Sequence, residues 1–176
     1  MQFDMVVRTV TELLEREAIE YAIIGGLAVQ AWGFSRFTQD ADIVVRMSAK
    51  QRVLALVESI GYETFHVAEG YSNHEHPDAD FGRLDFMYVD DATADKLFSR
   101  AVVRRVIGDI EAPVPRPEHI IAMKVLAIKN APRRVWGEMK DIQHLLKVPD
   151  IDRDEVREYF VRNGLLRLYD DIKEQT

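Results

Sequence analysis

"IIGGLAVQAWGFSRFTQDADIVV", residues 23–45, is the stretch that decides how this chain is interpreted. An apolar run ends at Gly25-Gly26, a short helical stretch follows, and Asp40 and Asp42 stand directly before a second apolar run. Carboxylates at the mouth of a buried strand are unfavourable unless something neutralises them, and residues two apart on a strand point to the same side. A divalent cation would relieve the repulsion, and Mg²⁺ takes such carboxylates together with phosphate oxygens. The alternative is a solvated loop that happens to contain two aspartates.

A third carboxylate favours the cation. Asp85 lies inside "RLDFMYV" (83–89), an alternating stretch typical of a strand, where aspartate is disfavoured. If that strand lies beside 41–46, Asp85 completes a set of three carboxylates, and two metal ions held by such a set promote phosphoryl transfer. The alternative is an aspartate on an edge strand that faces water. Between a strand and a helix, Gly25-Gly26 would let backbone N–H groups approach a phosphate closely.

The remaining pattern predicts an α/β (α+β) fold, with a small mixed sheet flanked by helices. Strands are expected at 21–25, 41–46, 62–67 and 83–89, with a hairpin over 102–114 that turns at Gly108-Asp109. Helices are expected at 5–18, 26–32, 49–60, 92–101, 117–130, 133–147 and 152–163. The polar stretch 68–82 predicts an exposed loop near the site, and we prefer this to a zinc site built on His74 and His76. Trp32 and Trp136 are expected to pack in the core or between helices.

Size and composition limit the classes of protein that fit. The 176 residues allow one domain with a small appendage, which we predict as a catalytic core at 1–115 and a helical segment at 116–176 packed on it. The absence of cysteine excludes disulfides, thiolate zinc sites and a cysteine nucleophile. A net charge of −7 argues against a wide nucleic-acid surface, although local arginines could form a patch. With no signal-peptide pattern and no membrane-length apolar run, a cytoplasmic protein without membrane contact is expected.

Together, the apolar strand, Gly25-Gly26, the Asp40-x-Asp42 pair and Asp85 resemble the nucleotidyltransferase superfamily of the DNA polymerase β type. The resemblance covers about residues 20–147, and its finer detail is similar to the minimal AbiEii-like branch. The residues that carry this detail are Arg36 and Thr38 before the aspartate pair, and Lys124, Lys140 and Asp141 within "HIIAMKVLAIKNAPRRVWGEMKDIQHLL" (119–146). The chain departs from the pattern at Gly26, where the superfamily often has serine, and at His144, where a second aspartate is common.

The resemblance implies a polymerase β-like fold with a helical C-terminal part, and Mg²⁺- or Mn²⁺-dependent transfer of a nucleoside monophosphate from an NTP to a hydroxyl. Asp40 and Asp42 would bind the metal that carries the triphosphate, and Asp85 would share a second metal and act on the hydroxyl as base or ligand. The other implied contacts are phosphate cradling by Gly25 and Gly26, neutralisation of the triphosphate by Arg36 and Lys124, and a hydrogen bond from Thr38 to the loop or to the nucleotide.

The resemblance leaves the acceptor open. In the AbiEii-like branch the activity is associated with toxins of toxin–antitoxin or phage-defence systems, which implies tRNA, protein or a small molecule as acceptor and a cognate antitoxin as partner. One alternative is a non-catalytic, nucleotide-binding regulatory module of the same fold. Retention of three mutually repelling aspartates argues against it. The remaining alternative is an unrelated α/β protein.

Overall fold

The computed structural model describes residues 2–35 and 37–174, which divide into two compact units. Within these ranges, the first unit comprises residues 2–31 and 35–115, and the second comprises residues 32–34 and 116–174.

In the described residues of the first unit, five strands form one mixed sheet. They are β1 (Tyr21–Ile24), β2 (Asp40–Arg46), β3 (Glu63–Val67), β4 (Tyr71–Glu75) and β5 (Arg83–Val89). Their order is β1-β2-β5-β4-β3, in which β2 and β5 are parallel and the other pairs are antiparallel. A separate hairpin consists of β6 (Val102–Ile107) and β7 (Ile110–Val114), and it turns at the predicted Gly108-Asp109.

The helices of this unit cover apolar surface. They are α1 (Gln2–Arg16), α2 (Gly25–Ala31), α3 (Lys50–Ser59) and α4 (Asp91–Phe98). The predicted apolar stripe of α1 buries Val6, Val7, Val10 and Leu14, while Leu13 is only half-buried. On strands β2 and β5, the face opposite Asp42 and Asp85 is largely apolar, with Ile43, Val45, Leu84 and Phe86 buried. The predicted α/β class with a mixed sheet is confirmed.

The prediction of an exposed loop over 68–82 is wrong for Tyr71–Glu75, although residues 77–80 are exposed and lie outside the strands. Strand β4 lies inside the sheet, between β5 and β3, and its Ser72 and His74 are fully buried. The residues are polar, but they alternate with a period of two. Their buried side chains bond one another, so the strand loses little by desolvation.

The buried polar side chains form a continuous network. The His74 ring lies between the hydroxyls of Thr64 (2.8 Å from Nδ1) and Ser72 (2.7 Å from Nε2), and Ser72 Oγ lies 2.6 Å from Tyr88 Oη. Both ring nitrogens therefore have hydroxyl partners, which leaves neither for the zinc alternative. Burial lowers the pKa of His74 from 6.5 to about 4 and raises that of Tyr88.

We expect this histidine to make stability depend on pH. The unfolded chain binds a proton at His74 near pH 6.5, whereas the folded chain does so only near pH 4. The folded state therefore has its full stability above pH 6.5, and it loses stability as the pH falls from 6.5 to about 4. Between pH 8 and pH 5 the free energy of unfolding should drop by about 2 kcal/mol.

Urea denaturation at the two pH values measures the drop. The His74→Asn variant should lack it, while the exposed His66→Asn variant should keep it. A drop of equal size in wild type and His74→Asn would contradict the assignment.

The second unit is helical. Its described helices are α5 (Pro117–Asn130), α6 (Val135–Leu145), α7 (Arg153–Arg162) and α8 (Leu166–Glu174). Helix α5 begins at Pro117 as predicted and buries Ile121, Val125 and Ile128. Its Glu118 is also buried, and it accepts hydrogen bonds from Arg116 and from the backbone N–H of Asp152, which caps α7.

Three aromatic residues of this unit can be compared with the predictions. Phe34 stacks on His144, with ring centroids 3.5 Å apart. Trp136, expected to pack, is instead 77% exposed, whereas Trp32 is half-buried.

Among the described helices, none is long and apolar enough to cross a membrane.

Candidate active site

Strands β2 and β5 bring the three predicted carboxylates to one face of the sheet. Asp40 and Asp42 are two residues apart on β2, and the parallel register sets Asp42 beside Asp85 and Asp40 beside Arg83. Side chains alternate along each strand, so these four share a face. Adjacent strands lie about 4.8 Å apart, which makes Asp42 and Asp85 direct neighbours. Asp40 is exposed, whereas Asp42 and Asp85 are half-buried.

Gly25 packs directly against Asp42. Its φ of +63° lies in the left-handed region, and it follows Ile24, the β1 residue paired with Asp42. A Cβ built on Gly25 would overlap the Asp42 carboxylate and lie 2.8 Å from Asp42 Cβ. Any other residue would therefore be strained and would displace the aspartate.

Gly26 and Thr38 form a second close contact. A Cβ on Gly26 would come within 3.2 Å of Thr38 Oγ1 and Cβ. The Thr38 hydroxyl donates to the carbonyl of Asp40 at 3.2 Å and accepts from its N–H at 3.3 Å. These bonds fix the segment that enters β2, which is the loop interpretation of Thr38. Arg36 lies outside the described residues.

Asn73 is a site residue that the sequence reasoning missed. It lies on β4 beside Asp85, and its Nδ2 donates to Asp85 Oδ1 at 2.7 Å. Burial raises the pKa of Asp85, the Asn73 bond opposes that shift, the charge of Asp40 adds to it, and Arg83 opposes it. The signal was the alternation of 71–75, which the polar composition concealed.

The donor set fits a hard divalent cation such as Mg²⁺. In the residues that the structure describes, no three acidic or histidine side chains already form a metal cluster. Asp42 and Asp85 are nonetheless adjacent, and Mg²⁺ bound with nucleotides needs only one or two carboxylates, with phosphate and water oxygens completing its shell. The charge of Asp40, which helps to raise the Asp85 pKa, is a repulsion that a cation would relieve.

Lys124 lies in the second unit, in a buried ion cluster. Its Nζ donates to Glu138 Oε2 at 2.8 Å and to Asp141 Oδ2 at 2.6 Å, and Arg134 bonds the other oxygen of Glu138 at 2.7 Å. Its ammonium charge is thus balanced by two carboxylates of its own unit. Contact of Lys124 with a triphosphate stays a prediction.

We expect the Lys124→Met variant to lose about 3 kcal/mol of unfolding free energy, because two buried carboxylates would face each other without their shared cation. Thermal and urea denaturation measure the loss. The Lys129→Met variant changes an exposed lysine of the same helix and should stay within about 0.5 kcal/mol of wild type. Similar stability of both variants would contradict the structural role of the cluster.

Several solved structures with a similar architecture are nucleotidyltransferases or nucleotidyltransferase-like proteins. The antibiotic-resistance factor ANT(2'')-Ia matches 97% of this chain over 95% of its own length, with a TM-score of 0.72 and 15% identity. The lincosamide antibiotic adenylyltransferase LnuA, bound to lincomycin, matches 82% over 96%, with a TM-score of 0.57 and 18% identity. A nucleotidyltransferase-like protein from Paracoccidioides brasiliensis matches 98% over 91%, with a TM-score of 0.62 and 16% identity.

These comparisons establish the fold. This chain has the nucleotidyltransferase fold, and the resemblance drawn from its sequence is confirmed at that level. No protein-family model and no curated protein matches the chain. The AbiEii-like branch therefore stays a prediction.

Proposed function

We propose that the chain is a Mg²⁺- or Mn²⁺-dependent nucleotidyltransferase that moves a nucleoside monophosphate from an NTP to an acceptor hydroxyl. The observation that carries the proposal is the pairing of Asp42 with Asp85 on adjacent parallel strands, with Gly25 pressed against Asp42. The fold shared with adenylyltransferases supports it.

Each residue of the site has a role in binding the metal, the triphosphate or the acceptor hydroxyl. Asp40 and Asp42 hold the cation and its triphosphate, and the backbone of Gly25 and Gly26 lies beside the phosphates. Asn73 holds Asp85 Oδ1 by a hydrogen bond, which leaves Oδ2 to act on the incoming hydroxyl as base or metal ligand. Arg36 and Lys124 remain candidates for neutralising the triphosphate.

The transfer is a single displacement. The acceptor oxygen bonds to the α-phosphorus, the bond from that phosphorus to the α,β-bridging oxygen breaks, and pyrophosphate leaves. A bound divalent cation supplies charge neutralisation for the phosphate oxygens. Positioning and electrostatic stabilisation dominate such reactions. Strands β2 and β5 can supply both, because they hold the three carboxylates in fixed positions.

Ligands of two similar proteins indicate an acceptor class. ANT(2'')-Ia is known in complex with adenylyl-2''-tobramycin, and LnuA with lincomycin, so small hydroxylated compounds are acceptors on this fold. We extend that class to this chain, with tRNA and protein as the other acceptors to test. If RNA or protein is the acceptor, we propose that the chain acts as a toxin and has a cognate antitoxin as its partner.

The test is incubation with each α-labelled NTP and Mg²⁺ in the presence of tRNA, protein or a small-molecule pool. Label should enter one acceptor class, and addition of EDTA should abolish the reaction. Divalent-dependent NTP binding without transfer to any pool would instead favour the regulatory module. Failure to bind NTP would refute both proposals.

A further inference from the structure

The face that carries the aspartates continues across the sheet to its far edge. The registers align His66 on β3 with Asn73 on β4, Asn73 with Asp85 on β5, and Asp85 with Asp42 on β2. Because adjacent strands are about 4.8 Å apart, the β3 position lies about 10 Å from Asp85. A compound of about two linked sugar-sized rings would cover that span.

This continuation carries exposed aromatic rings. Phe65 is 52% exposed and Tyr71 is 47% exposed, and the His66 ring stacks on Tyr71 with centroids 5.1 Å apart. His66 Nε2 also lies 3.1 Å from Tyr71 Oη. Phe65 stands at the irregularity in the β3–β4 register, and its ring centroid lies 5.7 Å from Arg83 Cζ. We call Phe65, His66 and Tyr71 the aromatic face.

Charge determines what can lie on the aromatic face. Glu63 on β3 is directly opposite Glu75 on β4, and both are exposed. Like charges in opposed positions destabilise a sheet. Arg83 approaches Glu75 only to 3.9 Å, and it stands beside Asp40 in the register. The carboxylates thus outnumber the cations, which disfavours a polyanion such as RNA and favours a positively charged ligand.

We propose that the aromatic face binds the acceptor, and that the acceptor is a hydroxylated ring compound with positive charge. The ring stacks on Phe65 and Tyr71, its amine lies near Glu63 and Glu75, and a hydroxyl points towards Asp85. This inference rests on the proposed function, since it assigns the second substrate of that site.

Three sugars with the same ring and different charge test the proposal: glucosamine, glucose and glucose 6-phosphate. Binding is measured by NMR, as shifts of the backbone amides and aromatic protons of the aromatic face. We expect glucosamine to bind with a dissociation constant on the order of millimolar, as its few atoms allow. Glucose should bind more weakly and glucose 6-phosphate should not bind.

Variants separate stacking from charge. Phe65→Ala/Tyr71→Ala should weaken glucosamine binding about tenfold. Glu75→Gln should weaken glucosamine binding but leave glucose binding unchanged. Trp136→Ala, which removes an exposed aromatic ring of the second unit, should change neither.

Two results would overturn the proposal: no glucosamine binding at the aromatic face, or equal binding in wild type and the double alanine variant. Preferred binding of glucose 6-phosphate would overturn the charge assignment and with it the proposed class. The same samples are titrated with ATP and Mg²⁺, which should shift the backbone amide signals of Gly25 and Asp42. ATP binding without sugar binding rejects the aromatic face alone, whereas loss of both rejects the proposed function.

Discussion

Replacing Asp42 by Asn should slow nucleotide transfer at least about a thousandfold, the size of effect expected when a preorganised charge at a phosphoryl-transfer site is removed. The amide keeps the shape of the side chain beside Gly25 but cannot supply a carboxylate to a cation. Asp85 and Asp40 would lose a like-charged neighbour, so the free energy of unfolding should be unchanged or higher.

Initial rates with α-labelled NTP, together with urea denaturation, measure both effects. Glu69→Gln is the matched control, since it neutralises an exposed carboxylate of the same unit and should keep full activity. Asp42→Asn that retained more than a tenth of the activity would contradict the role of this carboxylate. If the Asp42→Asn variant were unfolded, its loss of transfer rate would be a stability effect, which would also contradict the expected unchanged or higher free energy of unfolding.

Replacing Gly25 by Ala should be the most damaging change for the fold. The added Cβ meets the Asp42 carboxylate, and φ of +63° is unfavourable for any residue with a Cβ. We expect a loss of about 4 kcal/mol of unfolding free energy, from left-handed strain and overpacking together. Transfer should also disappear, because the aspartate must move to make room.

Gly164→Ala is the control that separates these causes. Gly164 has φ of +72°, and a Cβ there would meet nothing within 4 Å. It should lose only about 1 kcal/mol, the contribution of backbone strain. Equal losses in the two variants, measured by urea denaturation, would show that contact with Asp42 adds nothing.

The apolar parts of the fold were predictable because burial follows from apolar periodicity. The stretch 83–89 matches β5, the hairpin turns at Gly108-Asp109, and α5 runs from Pro117 to Asn130 as the pattern indicates. The sequence also indicated that Asp85 would share a site with the aspartate pair. Only the structure gives the parallel register that makes Asp42 and Asp85 neighbours.

The failure to predict β4 has a physical cause. Periodicity predicts strands through apolar residues, whereas β4 buries Ser72 and His74, whose polar atoms satisfy one another across strands. Such mutual satisfaction depends on tertiary contacts that a single sequence does not reveal. Asn73 and the aromatic face were missed together with that strand. Trp136 shows the converse, because a large apolar side chain need not be buried.

The parallel pairing of β2 with β5 also affects how the chain folds. Helix α3 and strands β3 and β4 lie between the two in sequence, so Asp42 and Asp85 meet only after this long crossover has closed. Contacts of such high sequence separation form late and slowly. An unfolded or half-folded chain therefore has no paired carboxylates to offer, and ATP with Mg²⁺ should bind the native state alone. Nucleotide would then raise the melting temperature by mass action, which gives a readout of the site that requires no acceptor.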